Sequence, residues 1–143
     1  MAEATQVEAA ERVEVTIPKR PEFVSVARLT SVAVAGRQGF AFDEIEDLKI
    51  AVSEACTELI RVASDPGAPL HIRFVLRPNA LEVTVETQET GPVFNTDSSG
   101  DDAAMDEGQL GMFLLRCLVD KVEVLQDRSP GTATLRLVKR RGG

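Results

Sequence analysis

Five short segments of this chain alternate apolar and polar residues with a period of two, and that pattern restricts the fold more than any other feature. Val13, Val15 and Ile17 alternate with Glu14 and Thr16, and Leu70, Ile72, Phe74 and Leu76 with His71, Arg73, Val75 and Arg77. Leu81, Val83 and Val85 alternate with Glu82, Thr84 and Glu86, Val122 and Val124 flank Glu123, and Ala133, Leu135 and Leu137 alternate with Thr134 and Arg136. Successive side chains of a strand point to opposite faces, so each segment reads as a strand with one face in a core and one in water. Half-wet strands belong to antiparallel sheets more than to parallel ones, whose strands are buried on both faces. Pro78-Asn79-Ala80 supplies a hairpin turn between the second and third.

Three helices are predicted to cover the apolar face. Pro21-Glu22 opens the first, and Gly36 and Gly39 end it. Asp43 with Glu46 three residues on reads as an N-cap pair for the second, which runs to about residue 64. On a helical wheel Ile45, Leu48, Val52, Ala55, Leu59 and Val62 form one stripe, and Asp47, Glu54, Glu58 and Arg61 another. A third helix spans about 110–119, with Phe113, Leu114, Cys117 and Leu118 as its packing set. The order β-α-α-β-β-loop-α-β-β predicts a two-layer α/β (α+β) sandwich, a mainly antiparallel mixed sheet covered on one face by three helices. Residues 1–11 read as a disordered lead-in and 12–140 as one domain. Residues 95–107, rich in Asp, Ser, Gly and Ala, form a lid, a binding loop or a disordered stretch.

Composition narrows the function classes. With 143 residues the chain has room for one domain and a real core. A formal net charge of -7 argues against a nucleic-acid surface. The basic run Lys139-Arg140-Arg141 reads as a solvated tail, and a role in transcription would have to run through another protein. No apolar run reaches the roughly 20 residues of a membrane span, and the acidic N-terminus lacks the cationic start of a signal peptide. Cys56 and Cys117 sit among apolar residues at helical spacing, which suits buried free thiols of a reducing compartment, the cytoplasm. Two cysteines and one histidine without CxxC or HExxH spacing build no zinc site. His71 falls on the wet side of its strand.

Glu54 and Glu58, one helical turn apart, read in isolation as a solvated acidic face with Arg61 as a helical partner. Gly91-Pro92 alone is a turn, and Gly108 and Gly111 alone are a weak helix start. Their order changes the reading. A helix with Glu54 and Glu58 at a Glu-x-x-x-Asn box is followed by Glu89-Thr90-Gly91-Pro92-Val93 where a strand ends in Asp-x-Gly-x-Gly. Then come a long loop, the helix start Gly108-Gln109-Leu110-Gly111, and a closing strand opening Gly131-Thr132. Residues 23–30 match a first helix and 118–122 a Met-Asp-x-Val turn. From about Val13 to Lys139 the chain resembles the anti-sigma factors and serine-protein kinases of the RsbW and SpoIIAB type, built on the histidine-kinase and gyrase ATPase fold.

The resemblance implies roles. Glu54 would orient or activate the serine hydroxyl that receives the phosphate. Glu58 stands where an asparagine holds magnesium, and Glu89 where an aspartate recognises adenine. Gly91, Gly108, Gly111 and Thr132 would line the nucleotide, with helix-start amides facing phosphate, and Arg28 would either reach a partner protein or sit as a surface arginine. Four positions depart from the family pattern. Glu58 adds a like charge near Glu54 and the phosphates. Glu89 is a methylene longer than the aspartate. Val93 and Gln109 stand where glycines were wanted. ATP and Mg2+ are thus implied by the family, and their binding is predicted to be weak or lost. The expected function is an anti-sigma factor that sequesters a sigma factor, is released by an anti-anti-sigma antagonist and forms a homodimer. The alternatives are an active ATP-dependent serine kinase acting on that antagonist, or a binding module in another switch.

Overall fold

The computed structural model describes residues 11–63, 65–89, 107–127 and 131–142. Strand β1 (Glu11–Ile17) leads through a single 3-10 turn (Pro21–Phe23) into helix α1 (Val24–Arg37) and then helix α2 (Phe42–Val62). Strands β2 (Leu70–Arg77) and β3 (Ala80–Gln88) follow, then helix α3 (Glu107–Leu118) and strands β4 (Lys121–Asp127) and β5 (Thr132–Arg140). The sheet order is β1-β2-β3-β5-β4. Every pairing is antiparallel, so the sheet is not mixed. The β2–β3 register, with Arg77 opposite Ala80, closes the hairpin at Pro78-Asn79.

The alternation places the core as expected. Leu70, Ile72, Phe74, Leu81, Val83, Val85, Ala133, Leu135 and Leu137 are buried on the face turned to the helices, against Leu48, Val52, Ala55 and Leu59 of α2. Val75 is an exception to the pattern, being buried on the side assigned to water. No helix among the described residues is long and apolar enough to cross a membrane. The lead-in assigned to residues 1–11 and the loop at 95–107 fall almost wholly outside the described residues; of them, Glu11 opens β1 and Glu107 opens α3.

Several local expectations need correction. Helix α2 starts at Phe42 with Ala41, not Asp43, at its N-cap. Glu44 rather than Glu46 reaches back: its Oε1 accepts the Ala41 N–H at 2.8 Å, while its Oε2 accepts the Gly142 N–H at 2.8 Å. Glu46 instead pairs with Lys49 at 3.0 Å. Helix α3 begins at Glu107, and its inward stripe is Gly111, Leu115 and the partly buried Met112 and Leu118. Phe113, Leu114 and Cys117 are exposed. Gly111, having no side chain, lets α3 approach α2 closely along its own line, and that turns the neighbouring large residues outward. Cys117 is therefore not a buried thiol, whereas Cys56 is, with burial pushing its thiol up to about 12.

The basic run is no solvated tail. Lys139 Nζ donates to the Leu118 carbonyl at 2.8 Å, neutralising the C-terminal end of α3, and lies 3.4 Å from Asp47 Oδ2. The Arg140 N–H donates to Asp120 Oδ2 at 2.6 Å and the Arg141 N–H to the Asn79 carbonyl at 2.8 Å.

On the outer face of the sheet, Glu82 lies 3.0 Å from both Arg77 Nε and an Arg136 Nη, and Arg136 also binds Glu123 at 2.6 Å. Burial alone would raise the Glu82 carboxyl, but the Arg77 hydrogen bond and the Arg136 charge outweigh it and hold it below the usual range. The Ala41 and Gly142 amides likewise hold Glu44 down, and Arg136 and Lys121 hold Glu123 down. These acids bind protons more weakly folded than unfolded. Their stabilisation is fully present above the ordinary glutamate value of 4.5 and is lost as pH falls through the depressed folded values. Thermal melts should thus show a plateau near neutrality and a falling midpoint below that value. Glu82→Gln should lower the plateau and flatten the acid slope.

Candidate functional site

Helix α2 carries the centre of the site. Its apolar stripe is fixed against the sheet, so residues 54 and 58, one turn apart, project from a neighbouring face toward α3. Glu58 is 5% exposed, an unusual depth for a carboxylate, and its Oε1 accepts a hydrogen bond from Arg61 Nη2 at 2.6 Å. The Arg61 side chain is itself 34% exposed, so the pair has one end in the interior and one in water.

Gly111 of α3 closes over both acids. A Cβ built on Gly111 would stand 2.6 Å from Glu54 Oε2, and Glu58 Oε2 would be nearer still. The two carboxylates therefore converge on one point of the α3 backbone, and only glycine fits there. Glu54, Glu58 and Gly111, assigned to the site from the sequence, are brought into direct contact. Gly108 and Gln109 lie half-buried in the first turn of the same helix.

Arg28 is neither at the outer edge of α1 nor isolated. It is half-buried, and its Nη1 donates to Ser53 Oγ at 3.2 Å, the residue preceding Glu54. Ser53 Oγ donates in turn to the Lys49 carbonyl at 2.9 Å. Arg28 thereby ties α1 to the turn of α2 that bears Glu54.

A second group sits at one end of the sheet. Glu89, just past β3, is buried, and its N–H donates to the Gly131 carbonyl at 2.8 Å. Gly131 has φ 86°, a left-handed conformation suited to glycine, and it leads into Thr132, which pairs with Gln88. Lys19 is buried at the same end and donates to the Asp65 carbonyl at 2.7 Å. Desolvation lowers its pKa, partly opposed by the charges of Asp65 and Glu89. Lys19 was not found by sequence reasoning: it lies in the short Pro18-Lys19-Arg20-Pro21 linker, where no periodicity marks burial. Gly91 and Val93 lie outside the described residues.

Magnesium held by Glu58 would have to compete with the cation already there. One Glu58 oxygen is taken by Arg61 and the other lies on Gly111. Among the described residues no group of three or more His, Cys, Asp or Glu side chains could hold a metal ion.

A helical layer on an antiparallel sheet, with an acidic turn of one helix under the glycine-bearing start of another, is the class of α+β sandwich described above, and comparison with known proteins gives its family. The histidine kinase-like ATPase domain profile matches residues 17–139. The serine-protein kinase RsbW of Halalkalibacterium halodurans is 37% identical over 141 residues, covering 91% of this chain and 85% of that protein. The RsbW of Bacillus subtilis is 39% identical over 127 residues, covering 80% and 78%. Among solved structures, the RsbU and RsbW domains of Rv1364c from Mycobacterium tuberculosis superpose with a TM-score of 0.68 at 13% identity. That likeness is one of fold, covering 91% of this chain but only 32% of the larger one. The chain belongs to the histidine kinase-like ATPase family, in its RsbW-type branch of bacterial anti-sigma factors and serine-protein kinases.

Proposed function

We propose that this chain is a cytoplasmic anti-sigma factor that acts by stoichiometric binding: it sequesters a sigma factor and is released by an anti-anti-sigma antagonist, with ATP binding weak or lost. The observation that supports this most is the state of Glu58. At the position where the family places its metal ligand stands a buried acid already joined to Arg61 and pressed on Gly111. Magnesium neutralises phosphate charge during transfer, and here two carboxylates meet the phosphates without it. Arg28, steadied by Ser53 beside the exposed Val26 and Leu29 of α1, is the proposed partner contact. The open edge of β1 together with α1 is the proposed homodimer surface. A pull-down from the native host should return a sigma factor and, competitively, an antagonist; recovery of neither would overturn the proposal.

The kinase reading keeps one specific support: Glu54 stands at the position of the residue that orients the serine, and Gly108 and Gly111 hold the helix start. A thermal-unfolding titration with ATP, with and without magnesium, separates the two. A ligand at 100 times its dissociation constant stabilises the folded state by about 2.7 kcal/mol. No magnesium-dependent shift is expected for the unaltered chain. Glu58→Asn, which removes the extra charge, should bind magnesium-ATP at least roughly tenfold more tightly. A large shift for the unaltered chain would favour the kinase.

A further inference from the structure

We propose that Arg61 is the resident cation of this pocket: its guanidinium holds the Glu58 carboxylate and keeps a divalent ion from the place it would take beside Glu54. Glu58 is taken at the metal position, as in the function proposed above.

Glu58 already has a cation partner and a close backbone neighbour within the protein. Oε1 receives Arg61 Nη2 at 2.6 Å, a short charge-assisted bond, and Oε2 packs on the Gly111 backbone. Magnesium demands oxygen ligands in near-octahedral array at about 2.0–2.1 Å. To admit it, Glu58 must release Arg61 or α3 must withdraw from α2. Releasing Arg61 leaves the almost fully buried Glu58 carboxylate without the charge partner that answers it. The guanidinium keeps about a third of its side chain in water, so it answers the buried acid without bearing the full desolvation cost of a doubly buried pair. Its spacing three residues on in the same helix makes the pair independent of any movement between elements.

Manganese, titrated without nucleotide and followed by the electron paramagnetic resonance of the free ion, is the probe. The unaltered protein and Arg61→Lys should leave Mn2+ free at millimolar concentration. Arg61→Gln should bind Mn2+ at least roughly tenfold more tightly than the unaltered protein, and adding Glu58→Gln should abolish that gain. Arg61→Met, which keeps the aliphatic stem, replaces Arg61→Gln should the latter not fold. Binding by the unaltered protein that Glu58→Gln removes would overturn the proposal, as would an Arg61 variant that binds no better than the unaltered chain. None of these readouts involves a partner protein. A failed sigma-factor pull-down would sink the proposed function and leave this result intact, whereas Mn2+ binding at Glu58 of the unaltered protein would sink this proposal and leave the sigma-factor complex standing.

Discussion

Gly111→Val should destabilise the protein by about 3 kcal/mol, at the upper end of the cost of overpacking a filled site. Even a methyl group at this position meets Glu54 Oε2 at 2.6 Å and the Glu58 carboxylate closer than that. In an open helix site, Gly→Ala gains roughly 0.5–1 kcal/mol of backbone entropy. That gain favours Gly111→Ala, so its sign rests on whether the acids can move aside. Glu58 is anchored by Arg61 and cannot move aside without breaking the pair. Gly111→Ala should accordingly be destabilising by about 1 kcal/mol, and the valine, branched at Cβ, by more. Denaturant melts of Gly111→Val in the Glu58→Ala background supply the check. The two substitutions should be non-additive, the valine costing distinctly less once the Glu58 carboxylate is gone. Full additivity would mean that the contact described here does not limit the approach of α3 to α2.

Phe74→Ala should cost about 3–5 kcal/mol, the range for removing a fully buried aromatic side chain. Phe74 heads the fully buried side chains by volume and stands on β2 opposite Val13 and Val83. For a domain of this size the loss corresponds to a midpoint lower by roughly 10–15 °C. Phe74→Leu, which keeps most of the volume, should cost less than about 1.5 kcal/mol. Because Phe74 touches the core and not the acidic turn, the Mn2+ response of Arg61→Gln should survive in the Phe74→Leu background.

The two predictions also mark where sequence reading succeeded and where it stopped. Phe74 was assigned to the core because Leu70, Ile72 and Leu76 share its face at a spacing of two, and a sheet wetted on one side leaves no other arrangement. The stripe of α2 followed from the same reasoning at a period of 3.6. Gly111 is the counter-example. A periodicity argument counts side chains, so it assigned Phe113, Leu114 and Cys117 to the interior and gave the glycine no weight. The helix is in fact seated by the residue with nothing to bury. The cap of α2 failed for a related reason: Ala41 has no capping oxygen, and Glu44 compensates while also binding Gly142, 98 residues away. No local pattern encodes such a contact. Lys139 was misread similarly, since its role depends on α3 ending beside β5.

The site was legible as an ordered set of motifs. Glu54, Glu58 and Gly111 meet in space, and Glu89 is linked through Gly131 to the strand that begins at Thr132. Hidden from the sequence was the depth of Glu58. An acid and an arginine three residues apart on a helix ordinarily form a surface pair worth a few tenths of a kcal/mol. Here the acid is buried, so the same spacing joins an interior carboxylate to a cation that reaches water. The partner surface was less legible. Arg28 is held by Ser53 rather than standing free, and no sequence pattern shows that contact between α1 and α2.

The most direct test is calorimetric titration of the purified protein with the sigma factors of its native host, each tried with and without magnesium-ATP. One sigma factor should form a saturable complex whose affinity is the same, within roughly threefold, whether or not the nucleotide is present. A complex that forms only with magnesium-ATP, or with none of those sigma factors, would contradict a nucleotide-independent anti-sigma factor.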